Sequence, residues 1–227
     1  KSRLQINYMA DEQKFKDMAA QLRKPHGDDG VKTGEMMSKG NKPIIYDTFR
    51  ALDAQANDNI LEIGMGNGFY VKEILEKAES IQYTGCDYAE LMVRESEKLN
   101  ADWITKRRAK FLQGNITALQ FEDNIFNKIF TINTLYFWDD EAAALREIKR
   151  VLQPGGTFII GFRPKHQSEK YPFTKYGFNQ FSKEDVAKLL ADNGFAVLDI
   201  FENKEPPFEM NGLIMETENV VVVARKV

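Results

Sequence analysis

Only one cysteine, Cys86, occurs in the 227 residues, which excludes an internal disulfide framework and a cysteine-rich metal site. Histidine is nearly as scarce. His26 and His166 lie far apart and no His-x-x-x-His pair exists, so no metal site is expected. No run approaches the roughly 18 uninterrupted apolar residues of a membrane-spanning helix, and the N-terminus has no apolar signal core. The expected setting is therefore cytoplasmic, without an integral membrane segment. A strong charge of either sign is also missing. The formal net charge is −3 and the sequence pI about 5.6, giving no overall pull toward nucleic acid or an anionic membrane. One local basic run, Lys106-Arg107-Arg108 with Lys110, falls where a helix should be ending, a place that favours cations. Charged residues at 29% and hydrophobic ones at 43% are ordinary for a globular protein, and the length suits one α/β domain with additions.

What is present centres on Ile60-Leu61-Glu62-Ile63-Gly64-Met65-Gly66-Asn67-Gly68-Phe69-Tyr70. An apolar run feeds a loop with glycine at alternate positions, and an acid sits two places before the first glycine. Without Cβ atoms such a loop turns sharply and lets a ligand approach the backbone. If a helix comes next, the loop presents free amide N–H groups. A dinucleotide fingerprint would place its third glycine three residues after the second. Phe69 occupies that place, so the pattern is Gly-x-Gly-x-Gly.

Along the chain, residues 1–24 read as a helix from Leu4, Tyr8, Phe15, Met18, Ala19 and Leu22. Pro25-His26-Gly27-Asp28-Asp29-Gly30 breaks that pattern, and Gly34 and Gly40 keep the stretch up to residue 41 loose. A helix then covers 42–52, with Pro43 acceptable in its first turn. Strands are expected at 60–63, 81–86, 110–113, 128–133 and 157–162, and helices at 69–78, 88–106 and 139–152. Short apolar strands separated by helices imply a parallel sheet covered on both faces. A connector rich in lysine and aromatics comes after the fifth strand. Ser182-Lys183-Glu184-Asp185 then has capping-box form, and Gly194 ends the helix it starts. The last strands, 195–201 and 220–225, have no helix between them and should pair antiparallel, leaving a mixed sheet.

Glu62-x-Gly64-x-Gly66-x-Gly68, Asp87 at the end of the second strand, Gly114-Asn115 at the end of the third, and Leu152-Gln153-Pro154-Gly155-Gly156 before the fifth resemble class I S-adenosylmethionine-dependent methyltransferases. The closest likeness is to the small-molecule type that includes ubiquinone/menaquinone biosynthesis methyltransferases. The resemblance implies a doubly wound, Rossmann-like α/β sheet of seven strands, mostly parallel, with the last strand antiparallel. The chain divides into an N-terminal helical segment (1–41), whose Gly30, Gly34 and Gly40 among Met36, Met37, Lys39 and Asn41 read as a lid over the cofactor or else as a disordered arm, and the methyltransferase domain (42–227), with 165–181 as a substrate-side connector. S-adenosylmethionine is the implied cofactor. Its sulfonium cation, amino acid end, ribose diol and adenine suit the residues in place. Asp87 can accept both ribose hydroxyls, Gly64, Gly66 and Gly68 let the methionyl portion lie on the backbone, and Glu62 orients the loop and the ligand's ammonium. Asn115 departs from the aspartate of many relatives. Its amide oxygen could take the adenine amino group while the Ile116 N–H donates to the ring, the alternative being a simple loop asparagine. Asn133 and Thr134 match the position facing the reactive end of the cofactor, or serve as turn formers.

Acceptor recognition is thinner. Tyr136, Trp138, Tyr171 and Tyr176 are candidate substrate residues, against the alternative that these rings pack the connector onto the sheet. No residue stands out as a base. His166 and Tyr136 are candidates, as is His26, each set against an ordinary structural role. After the fourth strand, Asn133-Thr134-Leu135-Tyr136 departs from the Asn/Asp-Pro-Pro-Tyr/Phe tetrapeptide of relatives acting on DNA bases or glutamine, which argues against a nucleic-acid partner. The reading is methyl transfer to a small, apolar or aromatic molecule. A non-catalytic S-adenosylmethionine sensor and a nicotinamide-dependent oxidoreductase are the alternatives, and the oligomeric state is left open.

Overall fold

The computed structural model describes residues 3–210 and 213–227. In chain order the elements are α1 (Arg3–Arg23), α2 (Gly27–Gly40), α3 (Lys42–Leu52), β1 (Asn59–Ile63), α4 (Val71–Leu75), β2 (Gln82–Asp87), α5 (Glu90–Leu99), α6 (Ala101–Thr105), β3 (Ala109–Gln113) and β4 (Phe126–Ile132). Then come α7 (Glu141–Val151), β5 (Leu152–Phe162), α8 (Lys165–Ser168), α9 (Lys183–Asp192), β6 (Phe195–Lys204), β7 (Phe208–Met210), β8 (Leu213–Met215) and β9 (Glu218–Lys226). Seven strands form one sheet in the order β3-β2-β1-β4-β5-β9-β6. β1 to β5 run parallel, and β9 inserts antiparallel between β5 and β6. The chain starts near the sheet centre and winds outward both ways, so the order reverses between β1 and β4. Open α/β sheets bind ligands outside the carboxyl ends of the strands at that reversal.

Both faces of the sheet are buried. Leu145, Ile148, Phe158, Phe162, Val186 and Val222 pack one side under α7 and α9. Phe49, Ile60, Ile74, Phe130, Ile159 and Val221 pack the other under α3, α4 and α5. Local signals set the frame: Ser182 and Asp185 form the reciprocal capping box that starts α9, and Gly194 takes φ +79° beyond its end. The basic run also acts at a helix end, where the Arg108 guanidinium donates to the Leu75 and Ala78 carbonyls closing α4.

Four departures from the sequence reading have physical causes. Residues 27–40 form a helix where glycines suggested a loose segment. A Cβ on Gly30 would lie 2.6 Å from Leu91 Cδ2, and one on Gly34 3.1 Å from Met92 Cε, so the two glycines let α2 approach α5. Tertiary contact here overrides low helix propensity. The helix expected over 88–106 is split at Asn100, whose Nδ2 donates to the Gly68 and Ser96 carbonyls, 3.0 Å each. The helix expected over 69–78 is reduced to Val71–Leu75, because the glycine loop takes up its start. Between β6 and β9 the chain forms the antiparallel β7–β8 hairpin, which the proline pair Pro206-Pro207 did not announce. The side chains of Leu4 and Tyr8, used to predict α1, lie outside the described ones.

Candidate active site

A cavity of about 550 Å³ lies over the carboxyl ends of β1, β2 and β4. Its floor is the glycine loop. Gly64, Gly66 and Gly68 have φ of +74°, +59° and +67°, a left-handed conformation that favours glycine. They differ in surroundings. A Cβ on Gly64 would run into the Thr134 methyl, and one on Gly68 would lie 2.9 Å from Ser96 Oγ, whereas one on Gly66 would meet open space. Gly66 is thus where the loop leaves room beside the backbone, its N–H held by Asp87 and its carbonyl by Ser96 Oγ.

Two carboxylates face the same space. Asp87 accepts from the Gly66 N–H (3.0 Å) and the Ala89 N–H (2.8 Å), which fixes the carboxyl and leaves lone pairs over for a ligand. Burial pushes its pKa up to about 6, against the lowering effect of those backbone donors. Glu62 accepts from the Tyr83 hydroxyl, and burial raises its pKa to about 7, with the nearby Asp87 charge adding to the rise. Cys86 lines the cavity as a buried thiol pushed up to about 12, which keeps it protonated and unreactive.

At the end of β3, Asn115 and Ile116 both line the cavity. The Asn115 amide oxygen accepts from the Thr117 N–H (3.1 Å) and the Thr117 hydroxyl (3.0 Å), so its two lone pairs are engaged in an Asx turn. Acceptance of an adenine amino group by that oxygen therefore finds no support, and the Asn115 Nδ2 group is the one left to meet a ligand. Asn133, left-handed at φ +56°, donates its N–H to the Gly161 carbonyl (2.8 Å) and accepts from the Tyr136 hydroxyl (3.0 Å).

Of the expected acceptor-side residues, Trp138 lines the cavity and Tyr136, Tyr171 and Tyr176 do not. Tyr136 is buried in the core, with its hydroxyl bound between Asn133 and Arg163 and its pKa raised by burial, so it is no base. Tyr171 stacks on Phe173 (5.6 Å between centroids), and Tyr176 lies under Lys16 of α1. The connector is folded back by the bonds Lys165 N–H to Phe181 O (2.8 Å) and Asn179 N–H to Tyr136 O (2.9 Å), which turns its rings inward on one another. His166 sits on α8, mostly exposed and paired with Glu218 at 2.5 Å, away from the cavity. His26 binds Gln21 and the Lys24 carbonyl at the α1–α2 junction.

The opposite wall comes from the N-terminal segment through Leu22, Arg23, Met37 and Ser38, of which the sequence reading did not single out Arg23 and Ser38. Arg23 spans the opening to Asp139 at 2.6 Å. The Ser38 hydroxyl donates to Asn67 Oδ1 at 2.8 Å, clasping α2 to the glycine loop. These are contacts between residues far apart in sequence, and no local pattern marks them.

Residues 61–160 match the family described as "Methyltransferase domain". The putative methyltransferase YrhH of Bacillus subtilis is 35% identical over 122 residues, 54% of this chain and 67% of that one. The chain belongs to this family. The ubiquinone/menaquinone biosynthesis C-methyltransferase UbiE of Rickettsia bellii is 30% identical over 165 residues, 70% of this chain and 66% of its own length. Among solved structures, the putative methyltransferase in complex with the Haloferax volcanii Trm112 activator has a TM-score of 0.75 over 93% of this chain and 96% of that one; at 16% identity it shows the shared fold. The protein is an S-adenosylmethionine-dependent methyltransferase, and the left-handed loop with its flanking acids fits such a cofactor.

The raised carboxyls give the methyltransferase a pH dependence of definite sign. Both acids sit above their ordinary values, so the folded protein without cofactor holds extra protons between about pH 4 and 7 and loses stability as pH rises through that window. A cationic ligand seated against these acids would favour their ionised forms. The gain in melting temperature from saturating S-adenosylmethionine should therefore grow from pH 5.5 to 7.5 and level off above about 8. Thermal-shift curves over that range check this, and a gain that shrinks with rising pH contradicts it.

Proposed function

We propose that this methyltransferase transfers the methyl group of S-adenosylmethionine to a small acceptor with an apolar or aromatic surface. The observation that carries the reading is the sheet-edge cavity, with Asp87 anchored at the end of β2 beside the room left at Gly66. In this reading Asp87 accepts the ribose hydroxyls and Glu62 with Gly64, Gly66 and Gly68 takes the amino acid end. Asn115 and Ile116 border the adenine, and Asn133 faces the reactive end. When bound, the sulfonium supplies an activated methyl group and a neutral leaving group. The protein's part is to align the acceptor and exclude water. The N-terminal segment serves as a lid, supported by the Arg23–Asp139 and Ser38–Asn67 contacts.

Among the described residues, neither histidine nor lysine lines the cavity, so His166 and Tyr136 are dropped as base candidates. The lining acids Glu62, Asp87, Asp139 and Asp140 outnumber the lining cation Arg23, which favours a small molecule over a nucleic acid. No helix among the described residues is long and apolar enough to cross a membrane. A cytoplasmic setting is our inference. Transfer of radiolabel from S-[methyl-³H]adenosylmethionine into the small-molecule fraction of a cell extract tests the function. Label in that fraction supports it, label in nucleic acid or protein overturns the acceptor class, and no transfer despite binding favours a sensor.

A further inference from the structure

A directed chain of hydrogen bonds runs from the acceptor side of the cavity to the glycine loop. The buried Thr131 hydroxyl donates to the Ile63 carbonyl at 2.7 Å, which uses its only proton. The contact between the Thr131 and Thr134 hydroxyls must then be donated by Thr134. Thr134 in turn accepts from the Trp138 indole N–H at 3.2 Å. The polarity is fixed from end to end: indole N–H to Thr134, Thr134 to Thr131, Thr131 to the carbonyl at the end of β1. Thr134 also packs its methyl on Gly64, where no side chain could fit. Trp138 is buried apart from the edge it turns to the cavity.

Sheet order places the two ends of the cavity. Asn115 and Ile116 come after β3 on one flank of the reversal, and Trp138 comes after β4 on the other, next to β5. With the adenine end over β3 and the ribose at Asp87, the cofactor's reactive end points toward β4, and Trp138 lies beyond it.

We propose that Thr134 is a positioning residue that fixes the Trp138 indole as the acceptor-side wall and ties that wall to the cofactor loop. This rests on the cofactor placement proposed above. A threonine serves because its hydroxyl accepts from the indole while donating to Thr131, and its methyl fills the space over Gly64. Valine would keep the shape and break the chain in the middle, leaving a buried indole N–H without its acceptor. Serine would keep the chain.

Trp103 and Trp138 are the two tryptophans, so Trp103→Phe leaves Trp138 as the sole indole reporter. In that background, titration with S-adenosylhomocysteine should change Trp138 emission. Adding Thr134→Val should abolish the emission change, read at a ligand concentration that calorimetry shows to be saturating, and raise acrylamide quenching. Thr134→Ser should retain both. Equal emission change and quenching with valine overturn the inference, as does binding to the background with no emission change at all. Should the valine variant not fold, hydrogen exchange of the Trp138 indole N–H read by NMR with Thr134 intact decides: slow exchange that responds to S-adenosylhomocysteine supports the tie, and fast exchange overturns it. Failure of the unaltered protein to bind S-adenosylhomocysteine overturns the cofactor placement itself, a separate outcome.

Discussion

Replacing Asp87 with asparagine is expected to lower affinity for S-adenosylhomocysteine by about 100-fold, or roughly 3 kcal/mol, as two charge-assisted hydrogen bonds are lost. The size follows from how the carboxylate is already used. Each oxygen accepts one backbone N–H, from Gly66 and from Ala89, and so keeps lone pairs for the ribose diol in the proposed cofactor placement. An amide has one oxygen. Whichever way it is turned, its NH2 faces a backbone N–H, and one ribose hydroxyl loses its acceptor. The free protein should still melt cooperatively, because removing a carboxyl whose pKa is raised by burial relieves desolvation. Calorimetric titration at pH 7.5 measures the effect. An affinity within about threefold of the unaltered protein would refute the ribose assignment.

Legibility in the sequence tracked the range of the physics. Glycines at alternate positions after an apolar run implied a sharp turn at a strand end, and all three glycines take the left-handed φ that such a turn uses. The Ser182–Asp185 box and Gly194 were legible because a cap involves residues within one turn. α2 was not, since Gly30 and Gly34 make sense only once Leu91 and Met92 lie against them. Asn100 looked like an ordinary helical residue until Gly68, brought beside it by the fold, gave its amide a carbonyl. The aromatic residues were counted correctly but could not be aimed. Their places after the fourth strand and in the connector pointed Tyr136, Trp138, Tyr171 and Tyr176 toward the pocket. The hydroxyl of Tyr136 found Asn133 and Arg163 in the interior, and only the indole of Trp138 remained at the cavity. In Asn115 the same residue type had two uses, and the turn claimed the oxygen that adenine would have needed.

Gly64→Ala should be the more damaging change, abolishing measurable S-adenosylhomocysteine binding and lowering stability by about 3 kcal/mol or more. Two costs act together. At φ +74° an L-residue is strained, and the new methyl would enter the space filled by Thr134, which cannot retreat because its hydroxyl is held by Thr131 and Trp138. The backbone at Gly64 is pinned as well, since its N–H donates to the Cys86 carbonyl at 2.7 Å. Gly66→Ala separates the two costs. Its φ of +59° imposes similar strain, yet the methyl would point into open cavity. That variant should lose only about 1 kcal/mol of stability while still weakening cofactor binding, because the methyl occupies the ligand's place. Paired denaturant melts and calorimetry on the two variants read stability and binding independently. If Gly66→Ala destabilises as much as Gly64→Ala, the Thr134 contact is not what makes the first glycine indispensable.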